Sequence, residues 1–366
     1  MPAIALNGRF SGTPQPTGTQ TASQQLFDAI VWAPRDLELV VFADPGFWNI
    51  SEWAGAEGVR LIRVPFREWS RRRAHQWEQL EFPRLARQYG CRVAHHPMTT
   101  CPVWQNGLKS VVTLHDLNFY RHPEWYSLAF RLVYSLCAVP GLRRAARVVA
   151  ISEYVRRQAE EVLKIRPGRL AMVYNGVKPI CPGARPPAGR YLLCVGSLQP
   201  HKNLARMIRA FQSVRAEAPD LELRVVGRPQ PRFARDPDLP ALLSSPGVRL
   251  LGYLSEADLA SEYSQALAFC YPSLEEGFGL PVLEAMGLET PVLTSNLSCL
   301  PEVAGPSAVL VDPMCEDSIA GGLRRILGWT ASQRKEAGET GKRWAAGFSW
   351  QRAAGEYLGI YRQLLP

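Results

Sequence analysis

The feature that most constrains this chain is a rhythm that runs twice. Short apolar runs alternate with longer amphipathic stretches. In the first half the runs are AIALNGR, LELVVFA, VRLIRVP, RVAHH, KSVVTLHDL, ARVVAIS and RLAMVYNG. Helix-length stretches at 19–31, 68–88, 124–145 and 152–163 separate most of them, with Ser152 placed to cap the last. Runs rich in Val, Ile and Leu throughout suit strands buried on both faces, which means a parallel sheet with helices on either side. The rhythm breaks at NGVKPICPGARPPAGR (175–190), whose prolines and glycines fit neither helix nor sheet. It then restarts with YLLCVGSL, a helix over 203–217, LELRVVG, VRLLGYL, a helix near 256–265, LAFCYPS, a helix near 280–288, PVLTSN, AVLVDP and helices to the end.

A chain of 366 residues is too long for one ordinary core and comfortable for two. The sequence therefore predicts an α/β protein of two doubly wound domains joined by a hinge. No short-period repeat suggests a solenoid. With 46% hydrophobic and 20% charged residues the chain is globular. No window has the roughly 18 apolar residues of a spanning helix. MPAIALNGRFSG lacks a basic region before a long apolar run and reads as a first strand, so a cytoplasmic protein is expected. The eight cysteines form no C-x-x-C, so buried free thiols are expected and a zinc site is not. The net charge of +9 concentrates in REWSRRRAHQW (67–77) and RLVYSLCAVPGLRRAARVV (131–149). Such runs are either solvated helix faces or attractors of anionic surfaces and phosphorylated ligands. No nucleic-acid module is present.

Open α/β sheets bind ligands beyond the carboxyl ends of their strands, and a cleft between two such domains is the expected site. VGSLQPHKNL (195–204) is a strand, a glycine turn and a helix start, which places Lys202 where an anion is favoured. It is no Walker A loop, and the chain lacks G-x-G-x-x-G after its first strand. VVTLHDLNFYRHPEWY (111–126) puts His115 at a strand end, with Asp116 either orienting it or holding the next loop. GRFSGTPQPTGTQTAS (8–23) carries small residues that permit a ligand close to the backbone, and equally fits a flexible loop. In EEGFGLPVLE (275–284), a helix start near Gly279 or Leu280 tolerates Pro281 in its first turn. Glu276 then precedes the helix and Glu284 lies inside it. The two carboxylates are expected to be too far apart, or too differently aimed, to act on one bond. A glycine-flanked cradle for a polar ligand fits better.

EGFGLPVLE (276–284) resembles the E-x7-E signature of glycosyltransferase family 4, retaining enzymes that use nucleotide sugars. Their GT-B fold has two Rossmann-like doubly wound domains facing across a cleft. The likeness extends over nearly the whole chain, through HDL, VYNGV, VGSLQPHKNL, LGYLSEADLASEYSQA and FSWQRAAGEYLGIYRQLL. It implies an acceptor-binding domain over 1–175, a nucleotide-sugar-binding domain over 190–346, and a last helix over 347–366 that packs back on the first domain. Glu276 and the amides of Gly277, Phe278 and Gly279, with Leu280 beside them, would hold the donor sugar. Glu284 would bind the ribose, and Lys202 would neutralise the diphosphate. His115 would lie near the reacting centre, making His115, Glu276 and Lys202 the catalytic candidates. Gly18 would let the first loop approach the phosphates or acceptor. Tyr253 and Leu254 would flank the base, and Asn175 is a further candidate. Glu275 falls outside the motif and would be solvent-facing or structural.

One position departs from the pattern. Many members carry arginine where this chain has Ser197, and Arg228 could supply the charge. HDL…HPEW with GSL-x-P-x-KNL resembles the mannosyltransferase-B-like sub-branch of bacterial polysaccharide and lipopolysaccharide (O-antigen) biosynthesis. That implies GDP-mannose or a GDP-deoxyhexose as donor and a glycan or lipid diphosphate-linked glycan as acceptor. It also implies peripheral contact with the anionic inner-membrane surface. No cofactor and no metal are expected. A UDP-sugar-dependent transferase, a phosphorylase or epimerase of the same architecture, and a non-catalytic subunit are the alternatives.

Overall fold

A computed structural model of the chain describes residues 2–12, 17–46, 49–183, 189–228 and 236–365. The chain divides into two compact units. The first comprises Met1–Tyr120, Leu128–Gly176 and Ser349–Pro366; the second comprises Arg121–Ser127 and Val177–Phe348.

The first unit is built on a seven-stranded parallel sheet. Its strands are β1 (Ala3–Gly8), β2 (Glu38–Ala43), β3 (Val59–Arg63), β4 (Val93–His96), β5 (Lys109–Leu114), β6 (Arg147–Ala150) and β7 (Leu170–Met172), in the order β3-β2-β1-β4-β5-β6-β7. Each predicted apolar run is a strand. β1 and β4 are buried along their whole length, whereas the edge strands β3 and β7 are only partly covered. Helices shield both faces, as a parallel sheet requires.

The last helix, Trp350–Leu364, packs against the helix Gly18–Trp32 in this unit. Polar bonds reinforce that packing. His95 Nδ1 lies 2.6 Å from the Tyr361 hydroxyl and its Nε2 lies 2.8 Å from Thr113 Oγ1, which is 2.7 Å from the Tyr357 hydroxyl. All four side chains are buried, so each bond satisfies groups that water cannot reach.

Two predicted helices are broken. The stretch 68–88 forms Arg71–Leu80 and Phe82–Gln88, divided at Glu81. Pro83 lacks an amide and its ring crowds the carbonyl of Gln79, so the first helix cannot run through it. The stretch 124–145 becomes a 3-10 turn (Pro123–Trp125), a helix (Leu128–Val133), a π-helical turn (Tyr134–Ala138) and a short helix (Val139–Arg144). Pro140 removes the amide that would have bonded the Leu136 carbonyl, and the π turn absorbs the defect. The helix after Ser152 forms as predicted, with the Val155 amide donating to the Ser152 hydroxyl at 3.2 Å.

Residues 121–127 fall in the sequence-predicted first domain, yet they pack in the second unit. There Trp125 lies 5.6 Å from the His201 ring, and Arg121 and His122 reach Glu275.

The second unit has a six-stranded parallel sheet of β8 (Tyr191–Val195), β9 (Glu222–Val226), β10 (Val248–Gly252), β11 (Ala268–Tyr271), β12 (Val292–Ser295) and β13 (Val309–Val311). Its order is β10-β9-β8-β11-β12-β13. In both sheets the chain starts at the centre, winds to one edge, returns and winds to the other. The winding reverses between β1 and β4 and between β8 and β11. Met207, Ile208 and Phe211 of the helix Leu204–Arg215 share one core with Leu223, Leu293, Ile319 and Leu323.

Five cysteines (91, 101, 194, 270 and 299) are buried free thiols as predicted; Cys181 and Cys315 are exposed, and Cys137 is half-buried. Residues 13–16 of the first loop and 184–188 of the proline-rich stretch lie outside the described residues. Among those described, no helix is long and apolar enough to cross a membrane.

Candidate active site

A parallel sheet presents all its carboxyl ends along one edge, so residues that follow β8, β9, β10 and β11 are neighbours despite their separation in sequence. The central pair, β8 and β11, flanks the point where the winding reverses, where such sheets open a crevice. After β8 the chain turns through Gly196 and Ser197 into a 3-10 turn, Pro200–Lys202. Asn203, in the left-handed region at φ 58°, then starts the helix Leu204–Arg215. Ser197, Lys202 and Tyr271 line one small cavity of about 20 Å³ between these strand ends.

Lys202 Nζ lies 2.6 Å from Glu276 Oε1 and 2.5 Å from the Tyr271 hydroxyl. Burial by itself raises the Glu276 pKa, but the attraction of Lys202, aided by the Lys202 and Tyr271 hydrogen bonds, more than offsets it and holds the carboxyl below its ordinary range. Burial pushes the Tyr271 hydroxyl well above its ordinary value, so it stays protonated.

Beyond Glu276 the turn tightens. Gly279 sits at φ 90° as the residue that opens the helix Leu280–Gly287. A Cβ there would lie 2.8 Å from Leu300 Cδ2, so both backbone and space call for glycine. Phe278 turns its ring inward, 5.9 Å from Phe348. Glu284 follows within the helix, half-buried, its Oε2 accepting from the buried Tyr263 hydroxyl at 3.1 Å. Burial raises the Glu284 pKa, with Glu256 adding to the effect and the Tyr263 bond opposing it. The two glutamates of the motif therefore keep separate partners and shift in opposite directions. Glu275 is not solvent-facing: it is buried, with Arg121 Nη1 at 3.2 Å and His122 Nε2 at 3.8 Å.

Arg228 and Tyr253 follow β9 and β10. The Arg228 guanidinium lies 5.4 Å from the Tyr253 ring centre, and Tyr253 is 57% exposed. Gly227 precedes them where the ends of β8 and β9 nearly touch: a Cβ there would be 1.8 Å from the Gly196 carbonyl oxygen. From β10 to β11 is three strand spacings, roughly 14 Å, room for a ligand much longer than one sugar ring.

The remaining candidates belong to the first unit. His115 follows β5 and is buried, with Nε2 2.7 Å from the Pro97 carbonyl. A carbonyl only accepts, so Nε2 carries the proton and Nδ1 the lone pair. Burial lowers the His115 pKa to about 4, against a smaller opposing effect of the Pro97 bond. The Pro97 carbonyl also accepts from Ser23 Oγ at 2.9 Å, which ties the start of the helix Gly18–Trp32 to the end of β4. Gly18 is exposed at that start, and a Cβ there would meet nothing within 4 Å. Asp116 accepts from the Asn118 amide at 3.0 Å and so holds the following loop. Asn175 is buried.

Two family models match the chain. Residues 28–179 match the one described as Glycosyltransferase Family 4, and residues 183–344 match Glycosyl transferases group 1. The chain belongs to glycosyltransferase family 4. This glycosyltransferase, an enzyme of the hexosyltransferase class, is 27% identical to the O-antigen chain mannosyltransferase B of Escherichia coli over 70% of its own length and 71% of that protein. It is 30% identical to the MMP alpha-(1->4)-mannosyltransferase of Mycolicibacterium hassiacum, over 62% of its own length and 59% of that relative's. Sucrose-phosphate synthase from Thermosynechococcus elongatus shares its fold with a TM-score of 0.77 at 21% identity, covering 100% of this chain and 99% of that one. The glycosyltransferase therefore has the GT-B fold.

Several residues of this site do not stand out in the sequence. Tyr271 and Tyr263 read as core aromatics within apolar stretches. Ser298 accepts from the Glu276 amide at 3.2 Å, from a loop without a motif. Asn203 donates to the carbonyls of Pro272 (3.0 Å) and Pro313 (2.7 Å), binding three loops of the glycosyltransferase together. The one signal that could have found it is the tolerance of asparagine for the left-handed region, which Asn203 adopts at this helix start.

Proposed function

We propose that this glycosyltransferase moves a mannosyl or related deoxyhexosyl unit, with retention at the anomeric carbon, from a GDP-linked donor to a glycan or lipid diphosphate-linked glycan. The setting is bacterial polysaccharide or lipopolysaccharide synthesis, at the anionic cytoplasmic face of the inner membrane. The observation that carries the reading is the pair of half-buried Lys202 and buried Glu276 at the β8/β11 switch point. The likeness to O-antigen and other mannosyltransferases supports the choice of sugar.

On donor binding, the diphosphate competes with Glu276 for Lys202. Glu276, released from the ammonium, accepts from hydroxyls of the donor sugar beside the Gly277–Gly279 turn, and Glu284 accepts from the ribose. The bond between the anomeric carbon and the diphosphate oxygen breaks, and its electron pair stays on the diphosphate. Lys202 and the first-turn amides of the helix Leu280–Gly287 are aimed at that developing charge, which is where electrostatic stabilisation is most effective. The acceptor oxygen forms its bond on the face the diphosphate leaves, and its proton passes to a diphosphate oxygen. Neither glutamate serves as nucleophile. His115, neutral with its lone pair on Nδ1, is suited to accept from a sugar hydroxyl. Arg228 adds a second cation for the diphosphate, in place of the arginine absent at Ser197, and Tyr253 offers an exposed ring to the base.

A thermal-shift panel of GDP, UDP, ADP and their sugars tests the donor, since a ligand stabilises the state it binds. GDP and GDP-mannose should give the largest shifts. A large UDP-sugar shift with none from GDP would overturn the guanine assignment. The anomeric configuration of the product, read by NMR, tests retention.

A further inference from the structure

The segment Leu128–Arg144 is unusual for a surface helix. Leu128, Leu132 and Leu136 recur every fourth residue and are 65%, 52% and 69% exposed. They form a stripe about 12 Å long across the helix Leu128–Val133 and the π-helical turn that continues it. Trp104, 71% exposed, stands at the far end of the same segment, where the Arg144 guanidinium lies 5.6 Å from its ring centre. Single exposed leucines need no explanation, but an ordered apolar row flanked by an exposed tryptophan does. The flanking charge is of one sign. Arg131, Arg143 and Arg144 follow Leu128 in the segment, and no acidic residue lies between Leu128 and Ser152; Arg147, further on, donates to the Gly168 carbonyl instead.

We propose that the Leu128–Leu132–Leu136 stripe, with Trp104, is the face by which this protein docks on an anionic lipid bilayer. An amphipathic helix of this kind lies in the plane of the interface, its apolar residues among the upper acyl chains and its cations at the headgroups. The arginines reach anionic headgroups while their stems stay in apolar surroundings. The charge selects a bilayer over a second copy of this chain, which would set like charges against each other. This docking rests on the membrane-linked acceptor proposed above.

Flotation of the full chain with phosphatidylglycerol-containing vesicles, against vesicles of phosphatidylcholine alone, tests it. The wild type should float with the anionic vesicles and much less with the neutral ones. Leu132→Ser combined with Leu136→Ser should lower the bound fraction roughly tenfold, and Arg143→Gln with Arg144→Gln should abolish the preference for anionic lipid. All four positions are exposed, so the thermal midpoint should not move; it serves as the folding control. A wild type that stays soluble, or leucine variants that float as well as wild type, overturns the docking. So does concentration-dependent self-association in sedimentation that the leucine variants lose, because the occupant is then a second copy. Transfer to a water-soluble acceptor separates the two ideas: transfer without flotation removes the docking face and leaves the transferase reading intact. Flotation without any nucleotide-sugar thermal shift does the reverse.

Discussion

Lys202 and Glu276 neutralise one another across the ends of β8 and β11, Nζ to Oε1, at 2.6 Å. Each is the other's main compensation for burial, so the pair is both a structural element and, in the proposed reaction, a contact the donor must rearrange. Lys202→Ala leaves the Glu276 carboxylate buried without its cation, at a cost of about 3–5 kcal/mol at neutral pH. In the wild type the Glu276 pKa is depressed, so its contribution is present above the ordinary carboxylate pKa and fades as pH falls through the folded value. In Lys202→Ala the attraction is gone and burial dominates, so acid protonates Glu276 early. The stability deficit should shrink from pH 7 towards pH 5 in thermal scans. The double variant Lys202→Met, Glu276→Gln should recover stability but not turnover, which should remain down by a factor on the order of a hundred or more. Near-normal turnover of Lys202→Ala with saturating donor would falsify the phosphate role.

Glu284 carries the opposite shift. A carboxyl whose pKa is raised in the folded protein favours folding below its unfolded pKa and opposes it as pH rises through the folded value. Glu284→Gln should therefore raise the melting midpoint of the nucleotide-free protein, with a gain that grows from pH 4 to pH 7. The same change should weaken nucleotide binding several-fold in calorimetry. Unchanged affinity would remove Glu284 from the ribose.

His115 gives a third pH signature. With a folded pKa near 4 against an unfolded value near 6.5, its neutral ring contributes stability above the unfolded pKa. That contribution, up to about 3 kcal/mol, is lost as pH falls from about 6.5 to 4. His115→Gln keeps a donor for the Pro97 carbonyl and removes the titration. Its midpoint should fall less steeply over that range, while transfer drops. A slope equal to that of wild type rules out His115 as its source.

Tyr361→Phe removes one hydroxyl and strands His95 Nδ1 in the core. The expected loss is about 1–3 kcal/mol, read by urea unfolding. Because this network lies wholly in the first unit, the GDP dissociation constant should change less than about twofold.

If Lys202 and the helix amides meet the diphosphate charge as proposed, no divalent ion is needed. Transfer should survive EDTA with little loss. A large loss restored by magnesium would assign that charge elsewhere.

The strands were legible because a parallel sheet buries both faces and writes itself as uninterrupted Val, Ile and Leu. The helices at 68–88 and 124–145 were less so, since amphipathic periodicity continues across a break. Pro83 and Pro140 carried the information, through the amides they lack. Lys202 and Glu276 could be singled out because each follows a strand and precedes a helix. Their setting could not be read the same way. Tyr271 and Tyr263 look like core residues in a sequence, and nothing near Glu275 announces that it is buried against Arg121, 154 positions away. The placement of 121–127 in the second unit has the same origin, in contacts without local pattern.

The His95–Tyr361 and Thr113–Tyr357 bonds also bear on how the polypeptide is made. The second unit holds everything it needs by Phe348, while the first still lacks the helix that carries both tyrosines. On the ribosome, the region synthesised first is thus completed last. Until residues 350–364 emerge, it waits with the face of Gly18–Trp32 uncovered and His95 without its tyrosine, open to chaperones and proteases.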